Sequence, residues 1–192
     1  MPGNTDAAVR VQKGTDGRWT YNGQQCVAPL APARPVVTAA AVRAQAVRLI
    51  PAAAIGLAPR TATLVNIQTV MWVDAPGART LPGVRILGQQ VTITLRLAQV
   101  VWSFGDQHGA STSSPGKAYD QTNAPCRTRL CPGYFGHVYA TTGDMHLTAT
   151  AQWTAAFTVN GGAAQQIPGA VPGPAANANL LVRQARSVLV PN

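Results

Sequence analysis

The feature that most constrains this fold is an alternation of apolar and polar residues with a period of two. It is clearest where Val91, Ile93 and Leu95 share one face of a run whose other face carries threonines. It returns in the longer run 145–159. Successive side chains of a β-strand point to opposite faces, so these runs predict strands with one buried face.

Other β-prone runs are separated by residues that favour turns. The predicted strands are 64–73, 91–95, 99–104, 136–140, 145–159 and 180–190, with loops at 108–133 and 161–176. Short strands bounded by Gly, Pro, Asn and Asp are typical of sandwiches. The sequence therefore predicts a mainly β fold, built as an antiparallel β-sandwich.

One segment departs from this pattern and predicts a short helix. Thr38 is a suitable N-cap, alanines dominate the residues up to Leu49, and Pro51 ends the helix. The residues before it are rich in turn formers and prolines and read as an extension. The predicted divisions are an N-terminal extension (1–35), a short helix with an extended connector (36–60) and a β-sandwich (61–192).

A motif in the sandwich region resembles the signature of PKD domains, which are immunoglobulin-like. Trp102-Ser-Phe-Gly-Asp106 is followed by His137-Val-Tyr139 and then by the alternating run Leu147–Thr150, in the order of the family. The entry run Leu64–Asp74 is similar to that of small actinobacterial secreted proteins with a PKD domain. The resemblance covers about residues 62–190 and implies an immunoglobulin-like sandwich of the PKD type. It also implies a role in adhesion, spacing or protein contact.

The resemblance implies a set of fold-motif residues: Trp102, Phe104, Gly105, Asp106, His137 and Tyr139. Trp102 and Phe104 share a face by parity and are expected in the core. Gly105 permits a backbone conformation that other residues resist, and Asp106 is expected to accept hydrogen bonds from turn amides. The Tyr139 hydroxyl is expected to reach a backbone group. Gln107 stands where the family has glycine, which predicts a longer or differently shaped turn.

Three cysteines bear on the cellular compartment. Cys126 and Cys131 enclose four residues in a loop rich in Pro, Gly and Asn, a spacing that allows a disulfide. A zinc site would need further thiol or histidine ligands nearby. We therefore favour a disulfide, and two buried free thiols are the alternative. A disulfide implies an oxidising compartment and thus a secreted or cell-surface protein. Cys26 is then unpaired or used in a contact with another chain.

The charge balance is strongly basic. Fifteen Lys and Arg against six acidic residues give a net charge of +9, which suggests an anionic partner. The arginines are scattered, however, and no cluster is denser than Arg127 and Arg129, so a merely solvated basic surface is the alternative interpretation. No apolar run reaches the roughly 18 residues that cross a bilayer, so no transmembrane segment is predicted.

The sequence supports no catalytic or cofactor-dependent function. Ser103 and Ser111 lack the Gly-x-Ser-x-Gly pattern of a nucleophile, and the absence of Glu disfavours a glycosidase pair. His108, His137 and His146 lack H-x-x-H spacing and would bind a metal only if folding brought them together. No phosphate-binding loop is present. We therefore expect no enzymatic activity, no cofactor and no metal.

These observations favour a non-enzymatic extracellular or cell-surface module, a structural and interaction subunit of a larger envelope or extracellular assembly. Trp19, Tyr21, Cys26 and the helix have no place in a minimal sandwich. They are predicted to contact protein partners, including other copies of the chain in an oligomer or filament. The alternative is a polyanion- or carbohydrate-binding module that uses scattered arginines, such as Arg127 and Arg129, and exposed aromatic residues.

Overall fold

The structure is a computed structural model that describes residues 11–21, 24–25 and 35–185. The chain divides into two compact units, 1–35 and 36–192. The first unit contains three short antiparallel strands that lie in chain order across one sheet: β1 (Gln12–Lys13), β2 (Trp19–Tyr21) and β3 (Gln24–Gln25).

The second unit confirms the prediction of a mainly β fold with one short helix. Its elements in chain order are α1 (Ala39–Leu49), β4 (Ile55–Ala58), β5 (Ala62–Leu64), β6 (Gln68–Val73), β7 (Ala78–Ile86), β8 (Gln89–Ser103), β9 (Gly109–Thr112), β10 (Gly136–Val138), β11 (Gly143–Val159), β12 (Gln165–Pro172) and β13 (Ala176–Arg183). They form a three-stranded sheet ordered β10-β6-β4 and a larger sheet ordered β5-β13-β11-β8-β7. In the larger sheet β12 also pairs with β11, and β9 with β8. Among these pairs only β5–β13 is parallel.

Two long strands, β8 and β11, run through both halves of this unit. Their pairing shifts register between Gln152 and Trp153, opposite Gln99 and Leu97. The ends of the pair near Val159 continue the sheet with β7 and β12, whereas the opposite ends continue it with β9 and β13. A β-bulge bends a strand and increases its twist, and this one marks the division between two separate cores.

The first half is sandwich-like. The sheet β10-β6-β4 covers the part of the larger sheet formed by β13 and the adjoining ends of β8 and β11. Their core consists of Leu57, Met71, Val73, Val100, Trp102, Phe104, Tyr139, Met145, Leu147, Ala149, Leu180 and Val182. Trp102 and Phe104 both belong to this core, where their rings bury large apolar surfaces.

In the second half, α1 packs on the four-stranded sheet β7-β8-β11-β12. Val42 and Ala46, one helical turn apart, are buried against apolar side chains of β8, β11 and β12. The guanidinium of Arg43 donates to the carbonyls of Pro168 (3.0 Å) and Ala170 (2.5 Å) in β12. The helix begins after Thr38, whose hydroxyl oxygen accepts the Ala41 amide.

Three sequence-based expectations are wrong. Residues 161–176, expected to be a loop, contain β12, and the loop expected at 108–133 contains β9. The helix packs on the chain's own sheet, and its contact with a partner stays a prediction. The final strand is 176–183 instead of beginning at Leu180. Alternation failed to reveal β12 because only Ile167 and Val171 are buried in it, and the position between them on the same face is Gly169.

Candidate functional site

A groove of about 590 Å³ lies between the three-stranded sheet and the loop that follows β9. The sheet side is formed by β6, whose residues alternate between the two faces. Met71 and Val73 point into the core, whereas Gln68, Val70 and Trp72 line the groove. The outer face of β6 is therefore covered by a loop in place of another sheet.

Backbone hydrogen bonds hold this loop along β6. The Val73 amide donates to Pro115 (2.7 Å), and the Met71 amide donates to Phe135 (2.9 Å). Between these points Gly116 has a φ of +81°, and a side chain there would come within 2.9 Å of the Met71 carbonyl. Gly116 thus allows the loop backbone to lie directly on the strand.

The side chain of Gln68 fixes the far part of the loop. Its amide oxygen accepts the Cys131 amide (2.8 Å), and its amide nitrogen donates to the Tyr134 carbonyl (3.1 Å). The predicted disulfide between Cys126 and Cys131 is present and closes the loop at this place. Both cysteines line the groove, so the disulfide is part of its wall.

Tyr134 and Asp120 organise the interior of the loop. The Tyr134 hydroxyl accepts the Asp120 amide and donates to Ala124, both at 3.1 Å. The Asp120 carboxylate accepts the amides of Thr122 and Asn123. The backbone and side-chain hydrogen bonds from Asn123, followed by the Thr122 amide, lower the pKa of the Asp120 carboxyl below 3.8.

The accessible lining of the groove combines aromatic rings with hydrogen-bonding side chains. Trp72 and Tyr119 are half-buried, and Arg60, Gln121 and Thr128 are exposed. Backbone and disulfide atoms supply the rest of the walls. The groove can therefore accept a ligand through ring stacking, amide and hydroxyl hydrogen bonds, and one guanidinium.

Basic residues border this groove. Arg60 lines it, and a smaller adjoining cavity shares Pro59 and Ile67 with it and is lined by Arg183. On the loop, Arg127 and Arg129 are exposed on either side of Thr128. Lys117 lies over the Tyr134 ring, with its ammonium 5.6 Å from the ring centre. Five basic side chains in this region outnumber the single carboxylate of Asp120, so the rim is predominantly positive.

Exposed apolar side chains also lie at this rim. The backbone N–H of Gln68 donates to the backbone carbonyl of Arg129. Ile67 precedes Gln68 and Leu130 follows Arg129, so this bond holds the two apolar residues near each other. Val138 is paired with Gln68 across the sheet. All three are large, solvent-exposed hydrophobic residues. Ile67 lines the groove, Leu130 adjoins the lining residue Cys131 in the chain, and Val138 adjoins Gln68 across the sheet. We refer to these three residues as the apolar rim.

The motif residues form a second cluster, at the turn that ends β8. The Asp106 carboxylate lies 2.7 Å from Nε2 of His137 in β10. The His137 ring stacks on Phe104, with ring centres 4.2 Å apart and planes 10° from parallel. The Tyr139 hydroxyl donates to the Phe104 carbonyl at 3.1 Å. The motif thus joins the β8 turn to the three-stranded sheet.

Two groups of this cluster, the Asp106 carboxyl and the Tyr139 phenol, have shifted pKa values. Burial alone would raise the pKa of the Asp106 carboxyl, but hydrogen bonds from His137 and the His108 amide outweigh it and lower the pKa below 3.8. Burial, reinforced by the negative charge of Asp106, raises the pKa of the Tyr139 phenol far above 10. At neutral pH Asp106 is therefore ionised and Tyr139 is protonated.

The interaction residues predicted from the sequence fall in different places. Arg127 and Arg129 lie in the disulfide loop beside the groove. Trp19 is 56% exposed in β2 of the first unit, with the Lys13 ammonium over its ring, and Tyr21 ends the same strand. Cys26 lies outside the described residues.

Several groove residues were not identified from the sequence. Trp72 belongs to a run whose residue pattern predicts only a strand, and no motif or periodicity distinguishes Arg60 or Gln68 as a binding residue. Gln68 and Cys131 are 63 positions apart, a separation at which sequence periodicity says nothing about contact. The alternation in β6 could have placed Gln68 and Trp72 on one face, but not the loop over them.

No protein-family model matches the chain, and no curated protein and no solved structure matches it.

Proposed function

We propose that the chain is a non-enzymatic, PKD-like interaction module outside the cytoplasm, working as part of a larger envelope or extracellular assembly. The path of the chain between the two sheets supports the proposal that the module is immunoglobulin-like. It enters the three-stranded sheet as β4 and continues in the other sheet as β5, where it pairs in parallel with the last strand, β13. Because a fold does not by itself specify a function, the surface must carry the rest of the proposal.

The groove with its apolar rim is the observation that carries a protein-contact role. Large hydrophobic side chains grouped beside a concave surface are typical of protein interaction sites. Trp72, Tyr119 and Arg60 add the residue types that are enriched at such interfaces. The disulfide closes the loop that forms one wall, so little ordering of that wall would be needed on binding.

The Cys126–Cys131 disulfide supports a secreted or cell-surface location, because disulfides persist in oxidising compartments. Among the described residues, no helix has the length and apolar character needed to cross a membrane.

Photo-crosslinking at the rim of the groove tests the protein-contact role. A photoreactive amino acid is placed at Leu130 or at Ile67 in the full chain, which is then irradiated at the surface of cells that produce it. The matched control is Leu87, which is 57% exposed against 59% for Leu130 but lies in the β7–β8 turn. We expect discrete protein adducts from positions 130 and 67 and none from position 87.

The adduct also identifies the partner. A mass of twice the chain would indicate a second copy and thus self-assembly, and any other discrete mass would indicate a different subunit. Absence of adducts at both rim positions, or equal adducts at position 87, would contradict the proposal.

Self-association through the first unit remains a separate part of the proposal. Trp19 is exposed there, and the sequence assigns contacts to Tyr21 and Cys26 as well. Light scattering of the full chain, with and without reductant, distinguishes the two routes. A dimer lost on reduction would implicate Cys26, since Cys126 and Cys131 are paired with each other.

A polyanion- or acidic carbohydrate-binding role is the second candidate, and the basic rim favours it. The groove and adjoining loop carry Arg60, Lys117, Arg127, Arg129 and Arg183. Such binding releases counterions, so the affinity for a polyanion would fall steeply with salt. The aromatic rings of the groove would add stacking to sugar rings.

Heparin serves as the probe for this second role. We expect Lys117→Glu with Arg127→Glu to lower the salt concentration that elutes the chain. The matched control is Arg48→Glu with Arg85→Glu, which makes the same change in net charge at exposed positions outside the groove. Elution of the two double variants at the same salt concentration would show that heparin affinity depends only on net charge, and would exclude a groove site.

A further inference from the structure

The turn after β8 brings together three side chains that the sequence keeps apart. Oδ2 of Asp106 lies 2.7 Å from Nε2 of His137 and 3.4 Å from Nδ1 of His108. One ligand atom from each of the three lies within 4.8 Å of the other two. Within the described residues, this is the one group of three or more His, Cys, Asp or Glu side chains with such convergence.

Backbone conformation of the turn causes this convergence. Gly105 has a φ of +86° and Gln107 a φ of +69°, so left-handed backbone flanks Asp106 on both sides. The second of these is unusual for a residue other than glycine. Oδ1 of Asp106 accepts the His108 amide at 3.1 Å, which holds His108 beside the carboxylate. The substitution of Gln107 for the family's glycine thus lies within the turn that positions two of the three side chains.

The third side chain, His137, is held on a rigid element. Its ring stacks on Phe104 and meets the edge of Tyr139 at 90°, with ring centres 4.2 and 4.7 Å away. Phe104 and Tyr139 are both buried. Nε2 therefore has a fixed direction toward Asp106, and little reorganisation is needed for it to serve as a ligand.

The donor set and its spacing suit a transition metal. Two imidazoles and one carboxylate are ligands for Zn²⁺, which lies about 2.0–2.2 Å from such N and O atoms. Tetrahedral coordination would then separate neighbouring ligand atoms by about 3.3 Å. The Asp106–His137 distance would have to widen slightly, whereas Nδ1 of His108 already lies at 3.4 Å from the carboxylate. Nδ1 of His108 also lies 3.2 Å from the Asp106 backbone carbonyl oxygen, a contact that metal binding would replace. The ring is 74% exposed, so it has room to turn toward an ion.

We propose that Asp106, His108 and His137 form a binding site for a divalent transition metal ion, with Zn²⁺ as the matching probe. The Asp106 and His137 side chains are only 12% and 17% exposed, so the ion would sit against the sandwich and be reached from the side of His108. Three protein ligands leave at least one coordination position open. That position would be taken by water or by a donor from a bound partner.

Calorimetric titration of the full, untagged chain with Zn²⁺ tests this site, after the Cys26 thiol has been alkylated to remove a competing ligand. We expect one Zn²⁺ per chain. His108→Ala removes a ligand that is exposed and outside the core, so the fold is retained. It should weaken binding by at least about tenfold, the lower range of effects seen even for outer-shell partners.

His146→Ala is the matched control, because His146 is also an exposed histidine but bonds to Asn179 on another part of the sheet. Its Zn²⁺ affinity should equal that of the wild type. As a second readout, Zn²⁺ should raise the unfolding temperature of the wild type and of His146→Ala more than that of His108→Ala. Equal affinity in the two variants, or no binding up to about 1 mM Zn²⁺, would overturn the proposal.

Discussion

The hydroxyl of Tyr139 donates a 3.1 Å hydrogen bond to the backbone carbonyl of Phe104, and both residues are buried in the sandwich core. Through this bond the residue that follows β10 is tied to the end of β8, 35 positions earlier in the chain. Asp106 and His137 make a parallel connection nearer the surface. The two links together fix the turn after β8 against the three-stranded sheet.

Tyr139→Phe should therefore lower the free energy of unfolding by about 1–3 kcal/mol, because it leaves a buried carbonyl without this donor. Tyr119→Phe is the matched control: its hydroxyl accepts the Cys126 amide in a half-buried loop, so a loss below about 1 kcal/mol is expected. Urea denaturation of both variants measures the difference. Equal losses would mean that the Tyr139 bond contributes nothing specific.

Gly105→Ala should be more destabilising than the same change at Gly88. Both glycines have positive φ, +86° and +77°, so both alanines would be strained by about 1–2 kcal/mol. At Gly105 the added methyl would also lie 2.6 Å from the His146 backbone nitrogen, whereas at Gly88 nothing lies within 4 Å. A further loss of about 1–3 kcal/mol is expected at Gly105 alone. Thermal or urea unfolding that gave the same loss at both positions would contradict this close packing.

Much of the fold could be predicted because β8 and β11 alternate cleanly over most of their lengths. What could not be predicted is where alternation breaks. Trp153 and Ala155 of β11 are two positions apart, but their partners in β12, Val171 and Ile167, are four apart, so the register shifts there. The pairing of β7 with β8 also shifts register, between Leu81 and Val84. Strands β7 and β12 belong to the half that packs on α1, so the sequence indicated one core where the structure has two.

The site was predictable only where it is local. Asp106 and His137 were singled out through a motif resemblance. Gln107 predicted a differently shaped turn, but only the structure shows that its positive φ accompanies the approach of His108 to the Asp106 carboxylate. The groove depends on the bond between Gln68 and Cys131, which joins a strand to a loop far away in sequence. Long-range contacts of this kind carry no periodic signal.

Arg43→Ala should lower the free energy of unfolding by about 1 kcal/mol or more, because its guanidinium donates to two backbone carbonyls of β12 and thus joins α1 to the sheet. Arg48→Ala makes the same change on the same helix, at an exposed position in its last turn. Its effect should stay within about 0.5 kcal/mol. Hydrogen exchange of the β12 amides should accelerate only in the Arg43 variant. Equal exchange rates in the two variants would contradict a stabilising role for the hydrogen bonds from Arg43 to β12.

The Asp120 carboxyl should titrate below 3.8, and the disulfide loop should respond to it. Hydrogen bonds from Asn123, first from its backbone and then from its side chain, lower this pKa in the folded chain. A group whose folded pKa is lowered contributes stability above its unfolded pKa and loses it as the pH falls through the folded value. Acidification into that range should therefore loosen the turn 120–124 while the sandwich, held by its own core, stays folded.

Carbon-detected NMR of the carboxyl group, with the amide shifts of Thr122 and Asn123 as reporters, measures this titration. All three signals should share one midpoint, because both amides donate to the same carboxylate oxygen. Asn123→Ala removes the side-chain donor and should raise the midpoint toward the ordinary value, whereas Asp120→Asn should abolish the pH response of both amides. A midpoint at or above 3.8 in the unaltered chain would mean that the Asp120 bonds do not persist in solution, and that the loop wall of the groove is held chiefly by Gln68 and the disulfide.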